Sequence, residues 1–129
     1  MQRYTLYAII SPINEVVYIN RLFCWSFFKN DKLIEKYDNL FKEDNTYKVN
    51  NNLKLIKKDK SYILERITDE YKILFDFNKE LCTIDLLNEN LYTEIKLLDL
   101  EIVDKDDNIT IIYKLDKEET NKLIISLKE

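Results

Sequence analysis

Residues 71–98 read YKILFDFNKELCTIDLLNENLYTEIKLL, and apolar side chains recur in this stretch at every second position. In residues 71–77 most apolar side chains lie at odd-numbered positions such as Phe75, whereas the charged ones lie at even-numbered positions such as Asp76. Such alternation is typical of a strand with one buried face. The polar segments 78–80 and 88–90, both containing Asn, separate this run from two more of the same kind. The stretch therefore predicts three strands of an antiparallel meander.

The same rhythm extends outward on both sides of this stretch. Runs over 47–55, 61–67 and 109–115 alternate in the same way, so we expect a meander of about six strands. The parity of the apolar positions slips near Leu97-Leu98, which predicts a β-bulge there. Because the chain has no glycine, we expect Asn or Asp at turn positions with positive φ. The predicted positions are Asn78, Asn88, Asn90 and Asn108.

The N-terminal part of the chain is predicted to form a short strand followed by a helical region. The run 4–10, YTLYAII, alternates as a strand does, and Ser11-Pro12 is a typical helix start. The competing interpretation is a hairpin that turns at 12–15 into the β-branched run VVYI. We favour the helix, and we expect residues 19–28, INRLFCWSFF, either to continue it or to pack beside it, because they are apolar on every side.

A second, amphipathic helix is predicted over residues 31–44, DKLIEKYDNLFKED, with Asn30 or Asp31 as its N-cap. Apolar side chains recur there at helical spacing, and charged side chains cover the opposite face. The predicted buried stripe comprises Leu33, Tyr37, Leu40 and Phe41.

The C-terminal tail is predicted to form a short helix. Residues 116–129, DKEETNKLIISLKE, begin with the N-cap candidate Asp116, and a strand over 123–127 is the alternative. With the elements above, the predicted fold class is α+β, an antiparallel meander of about six strands packed against an N-terminal helical region. A chain of 129 residues fits one domain, so residues 1–129 are predicted to form a single compact unit.

The aromatic block around the only tryptophan is predicted to fill the core. Phe23, Trp25, Phe27 and Phe28 offer bulky surface that suits the space between a sheet and its covering helices. The alternative places part of this block in a homodimer or partner interface, where Trp and Phe are typical anchors.

Composition excludes several classes of enzyme chemistry. The chain has no histidine, which removes Ser-His and Cys-His nucleophile pairs and histidine-ligated zinc. It has no glycine, which removes phosphate-binding loops of the usual form. We therefore predict no catalytic residue and no cofactor.

The predicted compartment is the cytoplasm. The N-terminal stretch lacks a signal-peptide pattern, and no apolar run approaches the roughly 18 residues of a membrane-spanning helix. Cys24 and Cys82 are expected to be buried thiols rather than a disulfide. Abundant Lys, Asn and Ile with no glycine indicate an AT-rich genome, bacterial, viral or parasitic. A viral protein of this kind acts in the host cytoplasm.

Two patterns suggest metal ligands. Asp85 followed by Glu94-x-Lys96 resembles the way in which a class of metal-dependent nucleases presents its ligands. The simpler interpretation is a solvated strand face with cross-strand ion pairs, and we favour it. Residues 104–108 supply the first carboxylates of a calcium-binding loop. However, Ile109 occupies the position where such a loop requires glycine, and the position that requires glutamate does not hold one. No metal site is therefore predicted.

The lysine-rich run 54–62, KLIKKDKSY, is a candidate contact for single-stranded nucleic acid, because lysines bind phosphates and tyrosines stack on bases. A lysine-rich turn also keeps sheet edges from aggregating. With a net charge of −4 for the whole chain, we favour the second role and predict no nucleic-acid partner.

The acidic run 85–107 is the best functional lead, because carboxylates far outnumber lysines there. Clustered carboxylates on a sheet face steer basic partners by long-range attraction. The predicted partner-binding residues are Asp99, Glu101, Asp104, Asp106 and Asp107.

These patterns together predict a small non-catalytic protein-binding module, such as an inhibitor or a toxin-neutralising, immunity-type protein that occludes a basic partner surface. One alternative is a divalent-metal nuclease that uses Asp85, Glu94 and Lys96. The other is a structural subunit of a larger assembly. The sequence leaves a homo-oligomer open and suggests no membrane partner.

Overall fold

The computed structural model describes residues 7–9, 17–19, 22–106 and 108–127 of the chain. Every regular element in these residues is a β-strand. Eleven of the strands form one antiparallel sheet that curls into a nearly closed barrel. The predicted α+β class is therefore wrong, and the fold is all-β.

The strands are numbered in chain order. β1 (Tyr7–Ile9) and β2 (Val17–Ile19) form a separate two-stranded sheet. The barrel strands are β3 (Leu22–Lys29), β4 (Lys32–Glu43), β5 (Thr46–Asn50), β6 (Leu53–Lys58), β7 (Ser61–Ile67), β8 (Tyr71–Asp76), β9 (Leu81–Leu86), β10 (Leu91–Lys96), β11 (Leu98–Lys105), β12 (Asn108–Lys114) and β13 (Thr120–Leu127).

The sheet consists of an antiparallel meander and a three-stranded return. Each strand from β3 to β9 pairs with the next one along the chain. The chain then passes through Leu97 into β11, and β13 brings the return segment back against β3. β10 and β11 are thus the two ends of the sheet. β4 pairs with β3 along much of its length and with β5 only from Phe41 to Glu43.

The core lies inside the barrel. Its fully buried side chains include Phe23, Trp25, Leu55, Tyr62, Phe77, Cys82, Leu97, Ile109, Ile111, Tyr113, Leu123 and Ile125. The ring of Phe23 meets that of Tyr47 edge to face at 5.1 Å. The core assignment is thus confirmed for Phe23 and Trp25, while Phe27 packs against the core from a partly buried position. Phe28 is half-buried, and the centre of its ring lies 5.6 Å from the Lys122 ammonium.

The predicted N-terminal helix is wrong wherever the structure describes that region. β1 and β2 pair antiparallel with Tyr7 opposite Ile19, which is the hairpin alternative. The predicted turn at 12–15 lies outside the described residues. Residues 22–28 belong to β3, which pairs with β4 on one side and β13 on the other. β-branched and aromatic side chains favour such a pleated, half-buried setting, and this outweighs their helical spacing.

The predicted helix over 31–44 is also wrong, because β4 occupies most of it. The stripe has helical spacing, but Leu33 and Phe41 are about half exposed and only Leu40 within the strand is buried. Asn39 has a positive φ of 62°, and the register against β3 shifts twice. As a result, the alternation of inward-pointing and outward-pointing residues is interrupted along β4. Pairing with β3 stabilises the extended form, which local propensity alone does not reveal.

The C-terminal tail forms strand β13, so the predicted helix capped at Asp116 is wrong and the strand alternative is confirmed. β13 lies between β12 and β3, and Leu123 and Ile125 are completely buried. Asp116 instead organises the preceding turn, where its Oδ1 accepts the N–H groups of Glu118 at 2.8 Å and Glu119 at 3.1 Å. These two bonds lower the pKa of Asp116.

Asn and Asp occupy nearly all described positions with positive φ, as the lack of glycine requires. Of the four predicted Asn positions, however, only Asn90 has a positive φ, at 51°. The other such residues are Asn30, Asp31, Asn39, Asp44, Asp59, Glu80, Asp99 and Asp106. The register between β11 and β12 shifts between Leu98 and Glu101, which confirms the predicted β-bulge.

Neither cysteine forms a disulfide. Cys82 is buried as predicted, and burial raises the pKa of its thiol to about 11. Cys24 is only half-buried, and its Sγ lies 3.3 Å from Oδ1 of Asp38.

Candidate functional site

The predicted partner-binding carboxylates gather on β11 and the turn that follows it. Within the described residues β11 pairs with β12 alone, so its other edge is open. Glu101 is exposed, and its neighbour Ile102 lies opposite the fully buried Ile111, so Glu101 points away from the core. The Asp99 side chain is 75% exposed, and its Oδ2 lies 3.7 Å from the Lys114 ammonium. These two carboxylates therefore face solvent.

Asp104 points the other way. It lies opposite the buried Ile109, and its side chain is 32% exposed. Its Oδ2 accepts a hydrogen bond from the Tyr62 hydroxyl and lies 3.4 Å from the Lys57 ammonium. The structure thus separates Asp104 from Glu101, and the five predicted carboxylates do not share one face.

The remaining two predicted carboxylates follow β11. Asp106 is exposed in the turn and has a positive φ of 44°. Asp107 lies outside the described residues.

Asp104 and Asp106 border an open depression of about 430 Å³. Lys42 and Tyr47 line it from β4 and β5, and Lys57 and Tyr62 from β6 and β7. The Lys42 ammonium lies 5.2 Å from the centre of the Tyr47 ring, and the Lys57 ammonium lies 5.9 Å from that of Tyr62. Both distances are typical of cation–π contacts.

The two ammonium groups and two carboxylates of this depression balance each other in charge, so its lining gives no net preference for an anion or a cation. Lys57 and Tyr62 belong to the lysine-rich run 54–62, whereas Lys42 lies in the segment 31–44 that the sequence predicts to be helical. Only the pairing of β4 with β5 brings Lys42 beside Tyr47. The depression shows how the end of β11 is anchored against the rest of the barrel.

An ion pair that the sequence does not predict links β4 and β7. Nη2 of Arg66 on β7 lies 2.7 Å from Oε1 of Glu35 on β4. Burial alone lowers the pKa of Arg66, but the hydrogen bond and charge of Glu35 outweigh it, so the pKa is raised. No local signal could have revealed this pair, because it depends on β4 being a strand.

The candidate nuclease ligands lie on the other edge of the sheet. Asp85 on β9 is opposite Tyr92 on β10, so Asp85, Glu94 and Lys96 share one face. The Tyr92 hydroxyl donates to Oε2 of Glu94 at 2.9 Å, which raises the pKa of Tyr92. Among the residues that the structure describes, no three His, Cys, Asp or Glu side chains are grouped closely enough to hold a metal ion.

No protein-family model matches this chain, and comparisons with curated proteins and with solved structures found no similar one. In the described ranges, none of the elements is a helix that is long and apolar enough to cross a membrane.

Proposed function

We propose that this protein is a small non-catalytic binding module that occludes a basic surface of another protein in the cytoplasm. Inhibitors and toxin-neutralising, immunity-type proteins both act in this way. The observation that carries the proposal is the exposure of Asp99, Glu101 and Asp106 along and just after an edge strand.

Charge supports this use of β11. The chain has a net charge of −4, and exposed carboxylates on one edge direct that charge toward a basic partner. Attraction of this kind chiefly accelerates association and fixes orientation. Val103, between these carboxylates, is 42% exposed and offers an apolar contact at the centre of the surface.

Asp104 has a different role in this proposal from the one that the sequence predicted. Its bond with the Tyr62 hydroxyl and its contact with Lys57 fix the inner side of β11. A fixed strand presents Glu101 and Val103 in one geometry, which lowers the entropy lost on binding. Asp104 is therefore a positioning residue.

A charge-reversal experiment tests the proposal. The wild type and the variant Asp99→Lys/Glu101→Lys serve as baits in pull-downs from the source organism, read by mass spectrometry. A protein retained by the wild type should be lost from the variant. With that protein purified, the variant should associate at least about tenfold more slowly at low salt, with a weaker salt dependence.

The matched control is Asp69→Lys/Glu70→Lys, which reverses two exposed carboxylates between β7 and β8. It makes the same change in net charge at another place, so it should retain the partner. Equal retention by both variants, or equal association rates, would contradict a specific role for β11.

A second candidate function is a divalent-metal nuclease, favoured by the shared face of Asp85 and Glu94. Two carboxylates on neighbouring strands are a common way to hold Mg²⁺, and Lys96 on the same face could orient a water molecule. Incubation with DNA or RNA and Mg²⁺ tests this. Cleavage that is abolished in Glu94→Ala would replace the binding-module proposal.

A further inference from the structure

β10 is an open and exposed edge. It pairs with β9 on one side and with no other strand in residues 22–106 and 108–127. Every side chain of β10 except Ile95 is exposed. Leu91 is 51% exposed and Tyr92 59%, which makes them the most exposed large apolar side chains that the structure describes. Such an edge is a template for pairing with another strand.

β10 also lacks three of the features that protect an edge. Its register against β9 is continuous from Leu91 to Lys96, so no bulge interrupts it. It contains no proline, and its core-facing positions carry no charge. Bulges, prolines and inward-facing charges are three of the means by which natural proteins prevent strand addition. The charges that β10 does carry, on Glu94 and Lys96, lie on its outward face.

From these features we propose that two copies of this protein pair through their β10 strands in an antiparallel, twofold-symmetric dimer. The dimer axis passes beside Thr93, so that Thr93 lies opposite the partner's Thr93. The two sheets then form one continuous sheet across the interface, as an isologous contact requires. This inference does not rest on the proposed function, because it uses the opposite end of the sheet.

Complementarity along β10 selects this register. Tyr92 lies opposite the partner's Glu94, so its single hydroxyl hydrogen, which is donated to Glu94 of its own chain at 2.9 Å, can be donated to the partner's carboxylate instead. Leu91 lies opposite the partner's Ile95, so the exposed apolar side chain gains an apolar neighbour. Pairs of Thr, of apolar residues and of hydrogen-bonding residues across strands are each stabilising.

Neighbouring registers are worse. Opposite residues of an antiparallel pair point to the same face, so the core-facing residues must remain opposite core-facing residues. The next register in one direction places Glu94 opposite the partner's Glu94, and like charges directly opposite are destabilising. Registers beyond it carry the partner strand past Leu97, where the chain turns to pair with β12. The next register in the other direction places Tyr92 opposite the partner's Tyr92, so it pairs only residues 91–93 of β10 and loses the apolar pair of Leu91 and Ile95.

A single pair of short strands makes a small interface, so we expect a dissociation constant on the order of 100 μM. Sedimentation equilibrium and native mass spectrometry over a concentration series measure it. The wild type should approach twice the monomer mass of 15.7 kDa as its concentration rises.

Substitutions at the axis give the sharpest test. Thr93→Lys and Thr93→Glu each place like charges opposite one another, so each variant alone should bind itself at least about tenfold more weakly. An equimolar mixture of the two should recover dimers, because Lys then lies opposite Glu. Recovery also shows that both variants are folded, and it occurs only if residue 93 lies opposite itself.

Val103→Lys is the matched control, since it adds the same charge to the β11 edge and should leave self-association unchanged. The proposal is overturned by a wild type that stays monomeric well above the expected dissociation constant, or by a dimer that persists in Thr93→Lys. A mixture that remains monomeric refutes the register. Loss of the dimer in Val103→Lys alone would move the contact to β11.

Discussion

β10 and β11 follow each other along the chain, and each forms one end of the same sheet, but their open edges differ. β11 is irregular, with a bulge after Leu98 and an inward-facing carboxylate, Asp104, that bonds to Tyr62. β10 is regular, pairs with β9 without a break and carries no charge on its core-facing side. One edge is shaped by side-chain charge, whereas the other exposes a regular backbone.

This difference suits the two edges to different contacts. A bulged edge with an inward charge disfavours the addition of a strand, so β11 is best used through its outward carboxylates. A regular edge favours strand addition, since the backbone N–H and C=O groups on its open side lie at the spacing of the next strand. Charge-steered docking and strand pairing can therefore coexist in one small barrel.

The largest difference in stability between the two edges is expected when the contacts of Asp104 that hold β11 are removed. Asp104→Ala should lower the free energy of unfolding by about 1.5–3 kcal/mol, because it removes a charged acceptor for the Tyr62 hydroxyl and the counter-charge of Lys57. Urea unfolding followed by the fluorescence of the single, buried Trp25 measures this change.

The matched control lies on the other edge. Glu94 also accepts a tyrosine hydroxyl, but in an exposed place, so Glu94→Ala should change the free energy of unfolding by less than about 0.5 kcal/mol. Equal losses in the two variants would show that β11 is anchored no more firmly than β10.

A smaller effect concerns the core beneath β10. Cys82 lies opposite Ile95, and burial raises its pKa to about 11 from about 9. The folded state therefore favours the neutral thiol, and this contribution is complete below pH 9 and is lost as the pH rises through 11. Between pH 8 and pH 10 the wild type should lose on the order of 1 kcal/mol more stability than Cys82→Ala.

Urea unfolding of both proteins at the two pH values supplies this comparison. Taking the difference removes the titration of the tyrosines and lysines, which both proteins share. An identical loss in the two proteins would mean that solvent reaches Cys82, and that the β10 edge does not stay closed over the core.

Much of the barrel could be predicted from the sequence, because residues 46–115 alternate with a period of two and their turns are polar. The strands over 61–67 and near the bulge at Leu98 follow directly from that pattern. β4 could not be predicted in this way, since Leu33 and Tyr37 also fit helical spacing. Its extended form depends on pairing with β3, which is a long-range contact.

The candidate site was predictable only in part. The exposure of Asp99 and Glu101 follows from their place on a charged strand. The odd and even positions of Glu101 and Asp104 place the two residues on opposite faces of a strand, so the sequence itself contains the signal that separates them. The contact of Asp104 with Lys57 was not predictable, because β6 and β11 are far apart in the chain.

The smallest expected effect tests the side-chain pair on β10 itself. The hydrogen bond to Glu94 is the main cause that raises the pKa of Tyr92, and the charge of Asp85 is a minor one. Glu94→Gln should therefore lower the pKa of Tyr92 toward its usual value of about 10, and Asp85→Asn should lower it less. Titration by NMR with labelled tyrosine, with Tyr92→Phe to assign the resonance, measures both changes. An unchanged pKa of Tyr92 in Glu94→Gln would show that Tyr92 does not donate to Glu94 in solution. The proposed register of the β10 dimer would then lose its polar pair and keep only the apolar pair of Leu91 and Ile95.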